Sequence, residues 1–476
     1  MDIISLPFIL ATTASLIIFY LLNYKYRIGF LVVISCGFIA TFSYYLVIYV
    51  VAYALLNYFI GIKISVTNHK KTFFRAGIII NLLQIFVLKY SIFAIDPIFR
   101  LANINFQVAN LSEIIIPIGI SYFTLQGIGY LINVKMGWEK PETKFSKFLL
   151  YIAFYPKFLS GPIERSNHFL PQLNFAKVFN EQQVTEGLRI ALFGFFKKIA
   201  IANRLGPYIN IAYTDPNSVD GMSLWILILL QPLYLYFDFS GYTDIARGFA
   251  KMFGIDILPN FNRPFFSENM TMFWKRFHIS LSSWFNDYVF RQESFRFRKW
   301  GIYSSVYALF LTWVLFGIWH GAGWNFMVLG FIQALALIYE FFTKKYRLRI
   351  FSIFPDNIRI WFSRIVTYLF FGGSLVFFFS PDISTAFDFF ANFNKFQGLP
   401  DMFIPLSIQP YLVPVFIIIV FIIELFENDY SHIFKKMEGY WLSDKMLLIR
   451  WAFYSLLITI IIAIGSEVEQ FVYVSF

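Results

Sequence analysis

Long apolar runs recur along this chain, and they limit its possible folds more than any other feature. They lie at 6–22, 28–43, 44–62, 76–95, 112–133, 147–160, 184–203, 222–238, 302–318, 322–343, 360–380, 411–427 and 447–465. A helix of about 20 apolar residues crosses the hydrocarbon core, and fewer suffice where neighbouring helices shield its ends. In lipid every backbone N–H and C=O must find its partner within the protein, so these runs are read as helices. Several are short or interrupted by Pro or Gly. Such breaks are tolerated where protein or a water-filled cavity satisfies the freed backbone groups, so some segments are expected to be re-entrant. The expectation is an all-α polytopic membrane protein forming one membrane-embedded domain over 1–476.

Composition agrees. Hydrophobic residues make up 58% and charged residues 14% of the chain, and aromatics reach 22%. A water-soluble exterior could not hide that much apolar surface, and part of the aromatic excess suits the headgroup level of a bilayer. The net charge of +11 does not point to nucleic acid, because the basic residues lie mostly between apolar runs, where they hold loops on the cytoplasmic side. The single cysteine, Cys36, sits in an apolar run, so neither a disulfide framework nor a thiolate metal site is expected. No bound cofactor and no metal are expected. The stretch 6–22 lacks a basic region before it and a small-residue cleavage site after it, which reads as a retained first span.

Orientation follows from the Lys/Arg loops. Lys25 and Arg27 place the N-terminus outside. Lys63, Lys70, Lys71 and Arg75 mark an inner loop, and Lys135, Lys140, Lys144 and Lys147 mark another. The stretch 241–300 holds nine Lys/Arg and few long apolar runs, as a cytoplasmic-side region would. Lys445 and Arg450 flank the inner end of the last span and Glu467 and Glu469 follow its outer end, so the C-terminus is expected outside.

Chemistry concentrates in a few stretches. His320 lies near the turn of a hairpin over 302–343, flanked by Gly317, Gly321 and Gly323, with Arg296/Arg298/Lys299 and Lys344/Lys345/Arg347 at its two ends. An ionisable residue in a membrane segment is costly and marks a functional-site candidate; the glycines let backbones or a substrate approach closely. In 267–290, Trp274, Phe277, His278, Leu281, Trp284, Phe285 and Tyr288 share one helical face, so His278 is expected on the aromatic stripe of an amphipathic helix beside the cytoplasmic surface. Tyr236 to Asp244 reads as a turn closing a span, where Asp238 and Asp244 cap helices or pair with Arg247. Ser160-Gly161-Pro162-Ile163-Glu164-Arg165 reads as another turn, with Glu164 and Arg165 as a candidate ion pair. His69, His168 and His432 fall in polar loops without an assigned role.

Taken in order, Pro117-Ile118-Gly119-Ile120-Ser121-Tyr122, Ser160-Gly161-Pro162-Ile163, the Asp238–Asp244 stretch, Phe273 to Asp287 and Trp319-His320-Gly321 resemble the membrane-bound O-acyltransferase family. The likeness is to its bacterial branch of alginate and peptidoglycan O-acetyltransferase membrane subunits and teichoic acid D-alanyl transfer proteins. The motifs concentrate in 111–346. The resemblance implies a ring of about 11 or more helices, with re-entrant or short ones, around a central tunnel in the bacterial cytoplasmic membrane. It implies His320 as the catalytic histidine and His278 as the second polar position. Trp319, Trp274, Arg276, Asp238, Asp244 and Ser280 become candidate substrate contacts. The donor it implies is acetyl-CoA, consumed as a substrate. The partner it implies is an extracytoplasmic SGNH-hydrolase-like acetyltransferase that places acetyl on a polysaccharide.

The terminal Phe471-Val472-Tyr473-Val474-Ser475-Phe476 resembles the F-x-Y-x-x-F motif of the small partner protein in teichoic acid D-alanylation, which makes Tyr473 a candidate acyl relay within an extracytoplasmic tail, 466–476. Gly465 precedes Tyr473 by eight residues, a tether of at most about 26–29 Å at full extension, against roughly 15 Å for half the hydrocarbon core. A thiol and a phenol, with pKa values of about 8.5 and 10, are comparable leaving groups and far better ones than a sugar hydroxyl. Two alternatives stand beside acetyl transfer: D-alanyl transfer to teichoic acid, and a polysaccharide or lipid transporter. The polymer is open among peptidoglycan, alginate-like and other exopolysaccharides, with richness in Lys, Ile, Phe and Asn leaning toward peptidoglycan.

Overall fold

A computed structural model describes residues 2–91, 93–94, 119–159, 161–174, 178–395 and 412–465. Among these residues every regular element is a helix, with no strand and one isolated antiparallel bridge, Phe261 to Phe277. Among the described residues, seven helices are long and apolar enough to cross a membrane: Tyr44–Val66, Lys70–Tyr90, Gly221–Met252, Ile302–His320, Trp324–Phe351, Asp356–Phe379 and Asp444–Ile464. The apolar helix Leu6–Leu21 is shorter. The protein is therefore an all-α polytopic membrane protein, as its apolar runs require.

Two compact units emerge, one from Met1–Ala191 with Tyr242–Pro259, the other from Leu192–Gly241 with Asn260–Phe476. In the first, Tyr24–Ala40, Tyr44–Val66, Lys70–Ile85 and Ile120–Met136 are the main helices. Buried polar side chains tie two of them together. Tyr53 donates to Asn81 Oδ1 at 2.7 Å, and Asn81 donates to Asn57 Oδ1 at 2.8 Å. The run expected at 147–160 is two short helices, Phe145–Ala153 and Tyr155–Phe158, too short to cross the core and nearly all buried.

The expected turn at 236–244 is instead the interior of one helix, Gly221–Met252. The polar cluster does not end the helix because its charges are neutralised on the spot. Asp238, fully buried, forms an ion pair with the equally buried Lys198. A buried carboxylate left without its cation would cost several kcal/mol, so this partner lets an aspartate sit mid-helix in an apolar setting. Asp244 pairs with Arg247 one turn on at 3.3 Å.

Glu164 follows the short helices, and its buried carboxylate is held by the Leu258 N–H and by the His168 ring, Nδ1 to Oε2 at 3.0 Å. His168, which sequence reading left without a role, is thus part of the fold. The hydrogen bond to Glu164 raises its imidazole above the ordinary value. Extra proton affinity in the folded state stabilises it fully below about pH 6.5, the unfolded value, and the contribution disappears as pH rises through the folded value. We expect the melting midpoint of the detergent-purified protein to fall between about pH 6 and pH 8.5, and His168→Gln to flatten that fall; an unchanged slope in the variant would assign the pH dependence to other groups.

Candidate active site

The helix Ile302–His320 turns back at Gly321 and Gly323, both extended, into Trp324–Phe351. The two arms meet backbone to backbone. A Cβ on Gly317 would stand 2.4 Å from the Phe326 carbonyl and 2.8 Å from Gly330 Cα, and one on Gly330 would stand 2.4 Å from the Trp313 carbonyl. No side chain fits such an approach. It fixes the arm that ends in His320, whose ring packs edge-on against Phe316, Trp319 and Phe378 at centroid distances of 4.9, 5.0 and 5.5 Å.

His278 is placed by a different device. The amphipathic helix expected over 267–290 is broken: Met270–Trp274 and Ile279–Phe285 are separate helices. Between them His278 adopts the left-handed conformation, φ 48° and ψ 50°. For a residue with a Cβ this backbone is uncommon and strained, and persists where neighbours over-determine it. Here the segment 260–262 does so. Asn262 N–H donates to the Arg276 carbonyl and Ile279 N–H to the Asn260 carbonyl, both at 2.9 Å. Asn260 Oδ1 also accepts from Ser280 Oγ at 2.6 Å and from Ser280 N–H at 3.2 Å. The turn drives His278 inward rather than along a surface stripe. It is fully buried, edge-on to Phe239 at 4.6 Å and 6.0 Å from the Trp319 ring. Burial, reinforced by His320 nearby, holds its imidazole well below the ordinary value, so it is neutral at physiological pH.

Both histidines line one narrow cavity. Its other walls are apolar, among them Leu235, Phe277, Phe316, Phe371, Leu375 and Phe378, with Trp274 and the amide of Gln333 as further polar-edged groups. Trp274 Nε1 donates to Gln333 Oε1 at 3.1 Å, and Gln333 Nε2 donates to Ser374 Oγ at 2.8 Å, which fixes the indole against Trp313 and Phe316.

Of the residues singled out by sequence, His320, His278 and Trp274 line this cavity, and Trp319 contacts both imidazoles. The others serve elsewhere. Arg276 donates to Asn428 Oδ1 at 2.9 Å, Asp238 belongs to the Lys198 ion pair, Asp244 holds Arg247, and Ser280 braces the His278 turn. Tyr473 lies outside the described residues, as do Pro117, Ile118 and Ser160. Gln333 and Asn260 were missed. Gln333 carries a sequence signal, being an amide inside a long apolar run; Asn260 carries none, because its role depends on a contact 20 residues away. No cluster of His, Cys, Asp or Glu suited to a metal occurs among the described residues.

The hairpin contact predicts a contrast between two glycines. Gly317→Ala forces a methyl group into backbone atoms that cannot move aside, and is expected to cost about 1–3 kcal/mol and lower the melting midpoint. Gly373→Ala, where a Cβ meets nothing within 4 Å, is expected to be neutral or mildly stabilising. Equal effects would show that the backbone contact does not hold the hairpin.

A profile described as the membrane-bound O-acyltransferase family matches residues 139–381, a stretch that contains both histidines and every residue named as lining the cavity. The chain is 30% identical over 328 residues to a probable alginate O-acetylase of Pseudomonas aeruginosa, covering 68% of this chain and 62% of that protein. It is 29% identical over 366 residues to a peptidoglycan O-acetyltransferase of Helicobacter pylori, covering 70% and 67%. It is 33% identical over 237 residues to a teichoic acid D-alanyltransferase of Bacillus subtilis, covering 48% and 60%.

Proposed function

We propose, since the chain belongs to the membrane-bound O-acyltransferase family, that it moves an acetyl group from acetyl-CoA on the cytoplasmic side of a bacterial cytoplasmic membrane to an acceptor on the outer side. The observation that carries this reading is the shared cavity, where two imidazoles from separate segments face one apolar space. His320 acts as general base: it takes the proton of the incoming hydroxyl as that oxygen attacks the thioester carbonyl. The C–S bond then breaks and coenzyme A leaves as its thiolate, which the protonated imidazole can reprotonate. His278 and Trp319 shape and polarise the site around the reacting carbonyl.

The cavity wall favours acetyl over D-alanyl transfer. A D-alanyl group carries an ammonium, and burying a cation is costly unless an anion or several acceptors meet it. The described lining has no carboxylate, only two imidazoles and an amide among apolar groups. A neutral, small acetyl suits such walls. The acceptor inside the protein is Tyr473, and an extracytoplasmic SGNH-hydrolase-like transferase then passes the acetyl to a cell-wall or secreted polysaccharide, peptidoglycan being the favoured polymer. The relatives named for alginate and peptidoglycan O-acetylation support this class of acceptor.

His320→Ala is expected to lower turnover of labelled acetyl-CoA in proteoliposomes by about 100- to 10,000-fold, the usual contribution of a positioned general base, with the protein still inserted. Turnover near the wild-type rate would remove His320 from the chemistry, and transport of substrate without donor turnover in the wild type would favour a transporter. Tyr473→Phe tests the relay by itself: label should no longer appear on the chain after donor addition, while persistent labelling would place the acyl group on another residue.

A further inference from the structure

The first unit holds an open cleft that the proposed chemistry does not use. It lies between the end of Tyr44–Val66, the start of Lys70–Ile85 and the end of Ile120–Met136. Because the first two of these helices belong to consecutive membrane-crossing segments, the loop joining them, and so the cleft, lies at the membrane surface. Lys70, Lys135 and Lys140 line it. Among the described residues, none of their ammonium groups has a hydrogen-bond or ion-pair partner.

The one acidic group in the lining does not answer this charge. Glu139 turns its carboxylate to Ser166 Oγ at 2.5 Å, and burial pushes it up to about 7. The helix ends add little negative charge, since Gly137, left-handed at φ 74°, and Trp138 cap the carbonyls of Val134 and Asn133. The positive end of the helix beginning at Lys70 adds to the lysines. Beside these charges, Met136 and Trp138 are each about half exposed, and Trp is favoured at the headgroup level.

We propose that this cleft binds the headgroup of an anionic phospholipid, its phosphate met by Lys70, Lys135 and Lys140 and its glycerol and upper acyl region by Met136 and Trp138. Three cations unanswered among the described residues, beside an apolar and indole-bearing wall at the surface of a bilayer, fit a molecule that is anionic at one end and apolar at the other. A free nucleotide or phosphate would meet the same lysines but would leave the apolar wall uncovered. The cleft lies on the cytoplasmic side in the orientation set by the basic loops, where anionic lipid concentrates, and the site stands whether or not the chain transfers acetyl.

The experiment is lipid retention by the full-length chain, measured by native mass spectrometry with phosphatidylglycerol and phosphatidylcholine of the same acyl chains. The wild type should retain phosphatidylglycerol at least about tenfold better, and retention should weaken with added salt. Lys70→Gln, Lys135→Gln and Lys140→Gln should each lose roughly fivefold, nearly additively. Equal retention of the two lipids by the wild type, or undiminished retention by the triple variant, overturns the site. Displacement of the lipid by free coenzyme A through the same lysines also overturns it, assigning the cleft to a soluble anion.

Discussion

A backbone-to-backbone contact inside one hairpin carries the rest of the candidate site. Gly317 and Gly330 bring the two arms so close that the main chain of one lies against the main chain of the other. In a membrane no hydrophobic force drives helices together, since lipid tails are as apolar as leucine, so close packing of small residues supplies the attraction instead. Three residues beyond Gly317 the first arm ends in His320. Its imidazole therefore stands at the end of an arm fixed by direct backbone packing rather than on a loop. The edge-on packing of Phe316, Trp319 and Phe378 then sets its tilt.

The second histidine is positioned at a cost. A left-handed residue with a side chain stores backbone strain, which the chain tolerates only because Asn260 and its neighbours satisfy the groups on both sides. Strain of this kind clusters at functional sites. The two devices are complementary: one arm is fixed by the absence of side chains, the other by a polar clasp around a distorted turn. Both deliver a ring to the same space.

How much of this was legible in the sequence depends on the range of the interaction. The helices were legible because lipid leaves an apolar run of some 20 residues few alternatives, and His320 because an ionisable group in such a run stands out. The hairpin glycines were legible as a motif although their partner, Gly330, was not. Pattern failed where a distant partner overrides local signals. The Phe-Asp-Phe-Ser-Gly-Tyr stretch reads as a turn, yet Lys198, 40 residues earlier, neutralises Asp238 and the helix runs on to Met252. The aromatic spacing of 274–288 reads as one helix, yet pairing with 260–262 breaks it at His278. Neither partner has a periodicity that would announce it.

The closeness of the two imidazoles imposes a division of labour. Two imidazolium ions sharing one poorly solvated cavity would repel each other with no carboxylate among the lining residues to offset them. His278 is fully buried and its imidazole is held well below the ordinary value. A neutral imidazole can still donate one hydrogen bond and accept another, which suits it to orient or polarise a carbonyl. Under the proposed transfer, the ring at the hairpin turn would be the one that takes a proton from a hydroxyl and returns it to a departing thiolate. In that proposal a base and an electrophilic helper are two residues of the same type, delivered to one space by different backbone devices.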